Sequence, residues 1–196
     1  MRIYKTITYF CFFLVMCSCA TLKNTPTAAN RVELTADNLH LINGTYQNNI
    51  KNTPYASEFF WGSFFSKKES DAVYGNESKE KPPFFITLKA VNKKRINATV
   101  TVNDSVLKTI KIRGRIKNGY FEQNRKMYII PIAIINVAYS SKFRIGLMSN
   151  SNVTTDFQKI ETGTVYFFHP FNNNIASYNL EHKKTANFIT AQRVFK

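Results

Sequence analysis

Hydrophobic and polar residues alternate with a period of two along much of this chain. The alternation is clearest over residues 106–130, where isoleucines take every second position and basic residues lie between them. Side chains two apart share one face of a β-strand, so this run predicts strands with one apolar face. Asn118-Gly119 interrupts it, and this dipeptide favours the positive φ angles of a two-residue type I′ turn. The pattern therefore predicts a β-hairpin.

The turn also fixes which residues of the hairpin lie opposite each other. The predicted pairs are Lys117 with Tyr120, Ile116 with Phe121, Arg115 with Glu122, and Gly114 with Gln123. In this register Ile116 and Phe121 share the buried face, and Arg115 and Glu122 form an outward ion pair. Gln123 points inward, where it lines a polar spot of a cavity, unless a β-bulge turns it outward. Both alternatives remain open.

Similar runs on either side of the hairpin predict the rest of the fold. The runs are Phe84 to Ala90, Ile96 to Val102, Met127 to Tyr139, Phe143 to Leu147, Val153 to Phe157 and Thr164 to Phe168. Turns about every ten residues separate them, which is typical of antiparallel sandwiches and barrels. We expect an all-β, up-and-down meander of about eight or nine strands that closes into a barrel. Residues 171–196 are compatible with a strand or a helix.

One segment breaks the β pattern. Residues 55–66 carry aromatic side chains at helical spacing, which predicts a short helix with an aromatic stripe. This helix either packs over the barrel as part of the core, or forms a lid over an apolar ligand or a wedge in a membrane interface. For the ligand alternative, the residues that would line the site are Tyr46, Phe60, Trp61, Phe64 and Gln123.

The N-terminus carries a targeting signal. Arg2 and Lys5 precede an apolar run that ends in Cys17-Ser18-Cys19. The arrangement resembles the lipobox of bacterial lipoproteins, which implies that Cys19 is lipidated and becomes the first residue of the mature chain. A plain signal peptide or an uncleaved anchor is the alternative. We therefore expect a signal peptide at 1–18, a flexible tether at 19–38 and a single barrel domain at 39–196, with membrane attachment through the N-terminal lipid.

Two further features bear on this resemblance. In some Gram-negative lipoproteins, acidic residues just after the lipidated cysteine act as a signal for export to the cell surface. Ala20-Thr21-Leu22-Lys23 contains none, so the resemblance implies a protein on the outer membrane that faces the periplasm. Gly44-Thr45-Tyr46 resembles the Gly-x-Trp motif that opens lipocalin barrels, with Tyr46 in place of the tryptophan. This resemblance implies a lipocalin-like barrel whose interior holds a small apolar or amphiphilic ligand.

The charge of the chain restricts the classes of partner that it is expected to bind. The formal net charge is +15 at pH 7, which attracts polyanions. Four basic residues share the outward face of the predicted hairpin: Lys111, Arg113, Arg115 and Lys117. This patch is either a solvated face that discourages edge aggregation, or a surface for anionic lipid head groups. The export signal argues against nucleic acid as a partner.

Residue types that carry catalysis are scarce. All three cysteines lie within the first nineteen residues, and His40, His169 and His182 are scattered without acidic neighbours at ligand spacing. We find no catalytic or nucleotide-binding motif. The sequence thus predicts a non-enzymatic, lipid-anchored envelope protein without a cofactor or metal, with a small ligand in its barrel. The alternative is a structural or assembly factor whose barrel is solid and engages an outer-membrane partner or anionic head groups.

Overall fold

The computed structural model describes residues 22, 27, 30–47, 84–102, 105–131, 135–166 and 169–185, and these ranges form an all-β domain. A single turn of 3₁₀ helix, Leu39–Ile42, precedes the second strand. The strands are β1 (Arg31–Val32), β2 (Gly44–Gln47), β3 (Phe84–Asn92), β4 (Arg95–Val102), β5 (Ser105–Lys117), β6 (Tyr120–Gln123), β7 (Lys126–Pro131), β8 (Ile135–Met148), β9 (Val153–Val165), β10 (His169–His182) and β11 (Lys184–Thr185).

All strand pairs are antiparallel and belong to one sheet in the order β10-β9-β8-β6-β5-β4-β3-β2-β11. Strand β8 is long enough to pair with three shorter strands along one edge. It contacts β7 through its first half, β6 through Arg144 and Ile145, and β1 through its last two residues. The predicted all-β, antiparallel arrangement of the strands is confirmed.

The hairpin of β5 and β6 has the register that its turn predicts. Lys117 lies opposite Tyr120, and Ile116 lies opposite Phe121. Asn118 and Gly119 both have positive φ, 51° and 72°, as a type I′ turn requires. Because the register is right, the isoleucines of β5 fall on the buried face.

One apolar face of the sheet forms the core. Ile96, Ala98 and Val100 of β4 are completely buried, and every second residue of that strand is buried with them. The core also includes Leu34, Leu39, Ile42, Tyr46, Ile86, Leu88, Val102, Ile110, Ile112, Phe121, Phe143, Ile145, Leu147, Val153 and Phe157. Burial of these side chains is the main favourable contribution to folding.

Closure into a lipocalin-like barrel is not confirmed by the ladders. The hydrogen-bonded path is open, since it runs from β10 at one end to β11 at the other. The described sheet also has eleven strands rather than eight or nine, because two short strands pair along β8 and β11 pairs with β2.

Two further expectations have other outcomes. Residues 153–166 do not contain the two predicted short strands, because β9 is a single strand from Val153 to Val165 that pairs with both β8 and β10. The undecided C-terminal stretch continues as strand through β10 and β11 up to Thr185.

The predicted helix at 55–66 lies outside the described residues. Within the described ranges, no helix is long and apolar enough to cross a membrane.

Candidate anionic-surface site

The outward face of β5 carries the predicted basic patch. Lys111, Arg113, Arg115 and Lys117 are all exposed, whereas the residues between them face the core or pack against it. The alternation of β5 alone produces this arrangement, since every second residue of a strand points away from the core.

Neighbouring strands extend the patch beyond the residues that the sequence pattern indicated. Arg113 lies directly opposite Arg95 of β4, so two guanidinium groups share one cross-strand position. Lys111 lies opposite Asn97, which in turn lies opposite the exposed Lys89 of β3. We call the set Lys89, Arg95, Lys111, Arg113, Arg115 and Lys117 the basic face.

Opposed like charges of this kind cost stability unless an anion compensates them. Strands β3, β4 and β5 contain no acidic residue, so compensation does not come from these strands themselves. The basic face is therefore a region where an external anion gains attraction from several cations at once.

The predicted outward ion pair between Arg115 and Glu122 is wrong. Glu122 is buried, and its carboxylate pairs with the Lys142 ammonium of β8 at 2.5 Å. The register places Glu122 of β6 between Arg115 of β5 and Arg144 of β8, so basic residues of β8 compete with Arg115 for the carboxylate. Arg115 consequently remains part of the exposed basic face.

A buried polar row continues from Glu122 across the sheet. Arg144 lies opposite both Glu122 and Asp156, and its guanidinium forms an ion pair with the Asp156 carboxylate. Asp156 is fully buried, and its second oxygen accepts a hydrogen bond from the Asn179 backbone N–H at 2.6 Å. Asn179 lies at a β-bulge of β10 and has a φ of 55°. Satisfied on both oxygens, this carboxylate can remain charged inside the protein.

Tyr120 separates the polar row from the N-terminal strand. Its ring lies between the guanidinium groups of Arg31 and Arg144, whose Cζ atoms are 4.3 Å and 4.0 Å from the ring centroid. Both distances are in the range of cation–π contacts. A side chain at Gly146 would place its Cβ 2.8 Å from this ring, so glycine leaves the room that Tyr120 occupies.

The interior beside Tyr46 has little free space. Tyr46 is buried, and its hydroxyl donates a hydrogen bond to the Ile42 carbonyl at 2.8 Å. Burial raises the pKa of this hydroxyl to about 12. The adjacent cavity has a volume of about 10 Å³ and is lined by Tyr46, Ile86, Leu88, Val153, Thr155 and His182. That is about the minimum that one water molecule needs.

His182 is the ionisable imidazole among the residues that line this cavity. It is almost completely buried, and its Nε2 lies 2.8 Å from the Thr155 hydroxyl. Burial lowers the pKa of the imidazole to about 4, although a hydrogen bond with the backbone of Gln47 acts in the opposite direction. The imidazole is thus neutral at pH 7 and contributes to packing and hydrogen bonding.

The other predicted ligand residues do not meet at this cavity. Gln123 is buried opposite Gly114, as the register predicts, but it is not among the residues that line the space beside Tyr46. Phe60, Trp61 and Phe64, and also the lipidation candidate Cys19, lie outside the described residues. Among the residues that the structure describes, no group of three or more His, Cys, Asp or Glu side chains could hold a metal ion.

Sequence reasoning missed Arg95, Lys89, Asp156 and His182 as partners in these clusters. The first two could have been found by aligning the period-two patterns of β3, β4 and β5. Comparison with known proteins adds no assignment: no family model, curated protein or solved structure matches the chain.

Proposed function

We propose that this protein is a non-enzymatic, lipid-anchored protein of the bacterial cell envelope, held on the periplasmic side of the outer membrane by Cys19. Its basic face binds a phosphate-rich partner, such as the head groups of anionic lipids. The observation that carries the proposal is the direct opposition of Arg95 and Arg113 within a surface of six basic residues. Removal of residues 1–18 takes away Arg2 and Lys5 and no acidic residue, so the mature chain keeps a net charge of +13 and has strong long-range attraction to such a partner.

The small volume of the cavity beside Tyr46 supports a domain that acts through its surface over one that carries a ligand at this place. A cavity of about 10 Å³ beside Tyr46 takes one water molecule and no apolar ligand. The alternative of a barrel that binds a small ligand therefore finds less support than the alternative of a solid domain that acts through its surface.

We also propose that the open hydrogen-bonded path closes into a barrel through the chain itself. The two end strands, β10 and β11, are separated only by Lys183, and the Gln47 N–H donates a hydrogen bond to the Lys183 carbonyl at 2.9 Å. Tyr46 and Ile86, near one end of the strand order, line the same cavity as His182 of the other end.

The registers support closure with a regular stagger. Starting at His182 and following Cα partners around the sheet, the path climbs two residues along β8, four along β5, and two each along β3, β2 and the β10–β11 segment. These steps all go in the same direction, and together they amount to twelve residues when the path is back at His182 after eight strand positions. A consistent displacement of this kind, the shear, is what a closed barrel requires, and eight strands enclose an interior that side chains can fill.

The basic face predicts that removal of two of its charges weakens binding of polyanions. In the double variant Lys111→Gln/Arg113→Gln, the affinity of the full-length chain in neutral detergent for inorganic polyphosphate should fall about 30-fold at low salt. This estimate takes about 1 kcal/mol for each basic residue near an anionic surface. The measurement is a fluorescence titration against labelled polyphosphate.

The matched control removes two exposed lysines away from these strands, in Lys183→Gln/Lys184→Gln. It has the same net charge as the first variant, and its affinity should stay within a few-fold of the unmodified chain. Equal loss in both variants would mean that only net charge matters, and the basic face would then have no specific role.

A further inference from the structure

About a third of the sheet extends beyond the hydrophobic core. It consists of β7 together with residues 135–141 of β8, 159–165 of β9 and 169–175 of β10, and we call it the sheet extension. Among the residues that the structure describes, the hydrophobic core uses β8 and β9 only as far as Phe143 and Phe157, and none of its members lies in the extension. Its two connections, between β7 and β8 and between β9 and β10, lie at the same end because Val165 lies opposite both Ile135 and His169.

The extension exposes large apolar side chains on both of its faces. Four consecutive residues of β7 are exposed. Met127, at 63%, and Ile129, at 58%, lie on one face, and Tyr128 and Ile130 lie on the other. Among the described strands, β7 pairs only with β8. Contiguous exposed apolar residues indicate a binding surface.

Tyrosines and charges are distributed as a membrane interface favours. Tyr128 stacks on Tyr139 with ring centroids 4.4 Å apart, and Tyr166 at the end of β9 is 61% exposed. Tyrosine is enriched where a membrane meets water. The single acidic residue of the extension, Glu161, forms an ion pair with Lys159 at 2.6 Å, and the basic residues Arg125 and Lys126 stand at the start of β7. The exposed apolar side chains of β7 therefore begin next to two basic residues.

We propose that the end of the sheet extension inserts into the interface of a lipid bilayer that contains anionic lipids. Met127, Ile129 and Tyr166 enter the region between head groups and acyl chains, and the basic residues at the start of β7 contact the head-group phosphates. This inference rests on the proposed function to the extent that the lipid anchor brings the membrane within reach. It leaves the basic face free, because that surface is formed by β3, β4 and β5.

A bilayer accounts for these features better than a second copy of the chain does. A dimer built on β7 would bring together two mature chains that each have a net charge of +13, because residues 1–18 contribute Arg2 and Lys5 to the total of +15, whereas anionic lipids complement that charge. A dimer through one strand edge would also leave Tyr166 at the end of β9 uncovered.

The test measures contact between single positions and lipid tails. The full-length chain, with its only tryptophan Trp61 replaced by phenylalanine, receives one new tryptophan, either as Ile129→Trp or as Met127→Trp. Each variant is incorporated into vesicles of phosphatidylethanolamine and phosphatidylglycerol with or without acyl-chain bromines. We expect bromine to quench the emission at both positions.

Ser149→Trp is the matched control, because Ser149 is exposed as well. It lies in the connection between β8 and β9, at the opposite end of β8 from the β7–β8 connection. It should not be quenched. Absence of quenching at 127 and 129, or equal quenching at 149, would overturn the insertion of this end. Flotation of the chain with the vesicles, whatever the quenching result, would support the proposed lipid anchor. Absence of flotation would contradict the proposed function as well.

Discussion

Replacement of Asp156 with alanine should lower the free energy of unfolding by about 3–5 kcal/mol, the cost of removing one partner from a buried ion pair. Asp156 is completely buried, and it holds both the Arg144 guanidinium and the Asn179 backbone N–H. Without the carboxylate, a guanidinium remains inside the sheet with less compensation, and the bulge of β10 loses its hydrogen bond. Urea denaturation of the full-length chain, followed by circular dichroism, measures the change.

Glu161→Ala provides the matched control for this prediction. Glu161 lies on the same strand and pairs with Lys159, but both side chains are partly exposed. Its loss should cost about 1 kcal/mol or less, as is usual for such pairs. The double variant Arg144→Met/Asp156→Leu should recover much of the stability that Asp156→Ala loses, because no charge is then left unpaired. If Asp156→Ala costs no more than Glu161→Ala, the buried pair does not stabilise the fold.

The second large effect is a loss of stability between pH 6.5 and pH 4 that is due to His182. Burial lowers the pKa of His182 to about 4 in the folded protein, whereas the unfolded chain has a pKa near 6.5. The unfolded state therefore binds a proton at a higher pH than the folded state does. The contribution of His182 to the free energy of unfolding is fully present above pH 6.5. It is lost as the pH falls towards 4, by roughly 3 kcal/mol in total.

His182→Gln isolates this effect, since glutamine can hydrogen-bond with Thr155 but does not titrate. Its free energy of unfolding, measured by urea denaturation at several pH values, should be nearly flat between pH 6.5 and pH 5. The exposed His169 gives the control variant His169→Gln, which should retain the full pH dependence. An unchanged slope in His182→Gln would show that other groups cause the loss of stability.

The turn and the register of the β5–β6 hairpin could be predicted because their determinants are local. Asn118-Gly119 fixes the turn, and the turn fixes the register of the next four pairs. The basic residues of β5 were correctly placed outward for the same reason. Arg95 was missed because its position opposite Arg113 depends on the register between β4 and β5, which are joined by a connection without so clear a turn signal.

The buried polar row could not be predicted from local pattern. Arg144 alternates with Phe143 and Ile145, so period two correctly assigns it to the face away from the core. That face is covered at this point by Tyr120 and Arg31, which come from other parts of the chain. Burial of Arg144 and Asp156 is therefore a consequence of tertiary packing. The failed ion pair of Glu122 has the same origin, since Lys142 of β8 reaches the carboxylate.

The long strands β8, β9 and β10 were also underestimated. Residues 158–164 are mostly polar, which is typical of a turn, yet they continue β9 because β8 and β10 supply ladder partners on both sides. Hydrogen bonds between backbones do not depend on side-chain polarity, so a sheet can extend past its core. This extension is the part of the fold to which we assign membrane contact.

The central claim is that the chain is anchored to a membrane through a lipid on Cys19, and metabolic labelling with radioactive palmitate tests it most directly. The unmodified chain and Cys17→Ala should both incorporate label into the mature protein, while Cys19→Ala should incorporate none. Label that persists in Cys19→Ala, or that is absent from the unmodified chain, would contradict the account.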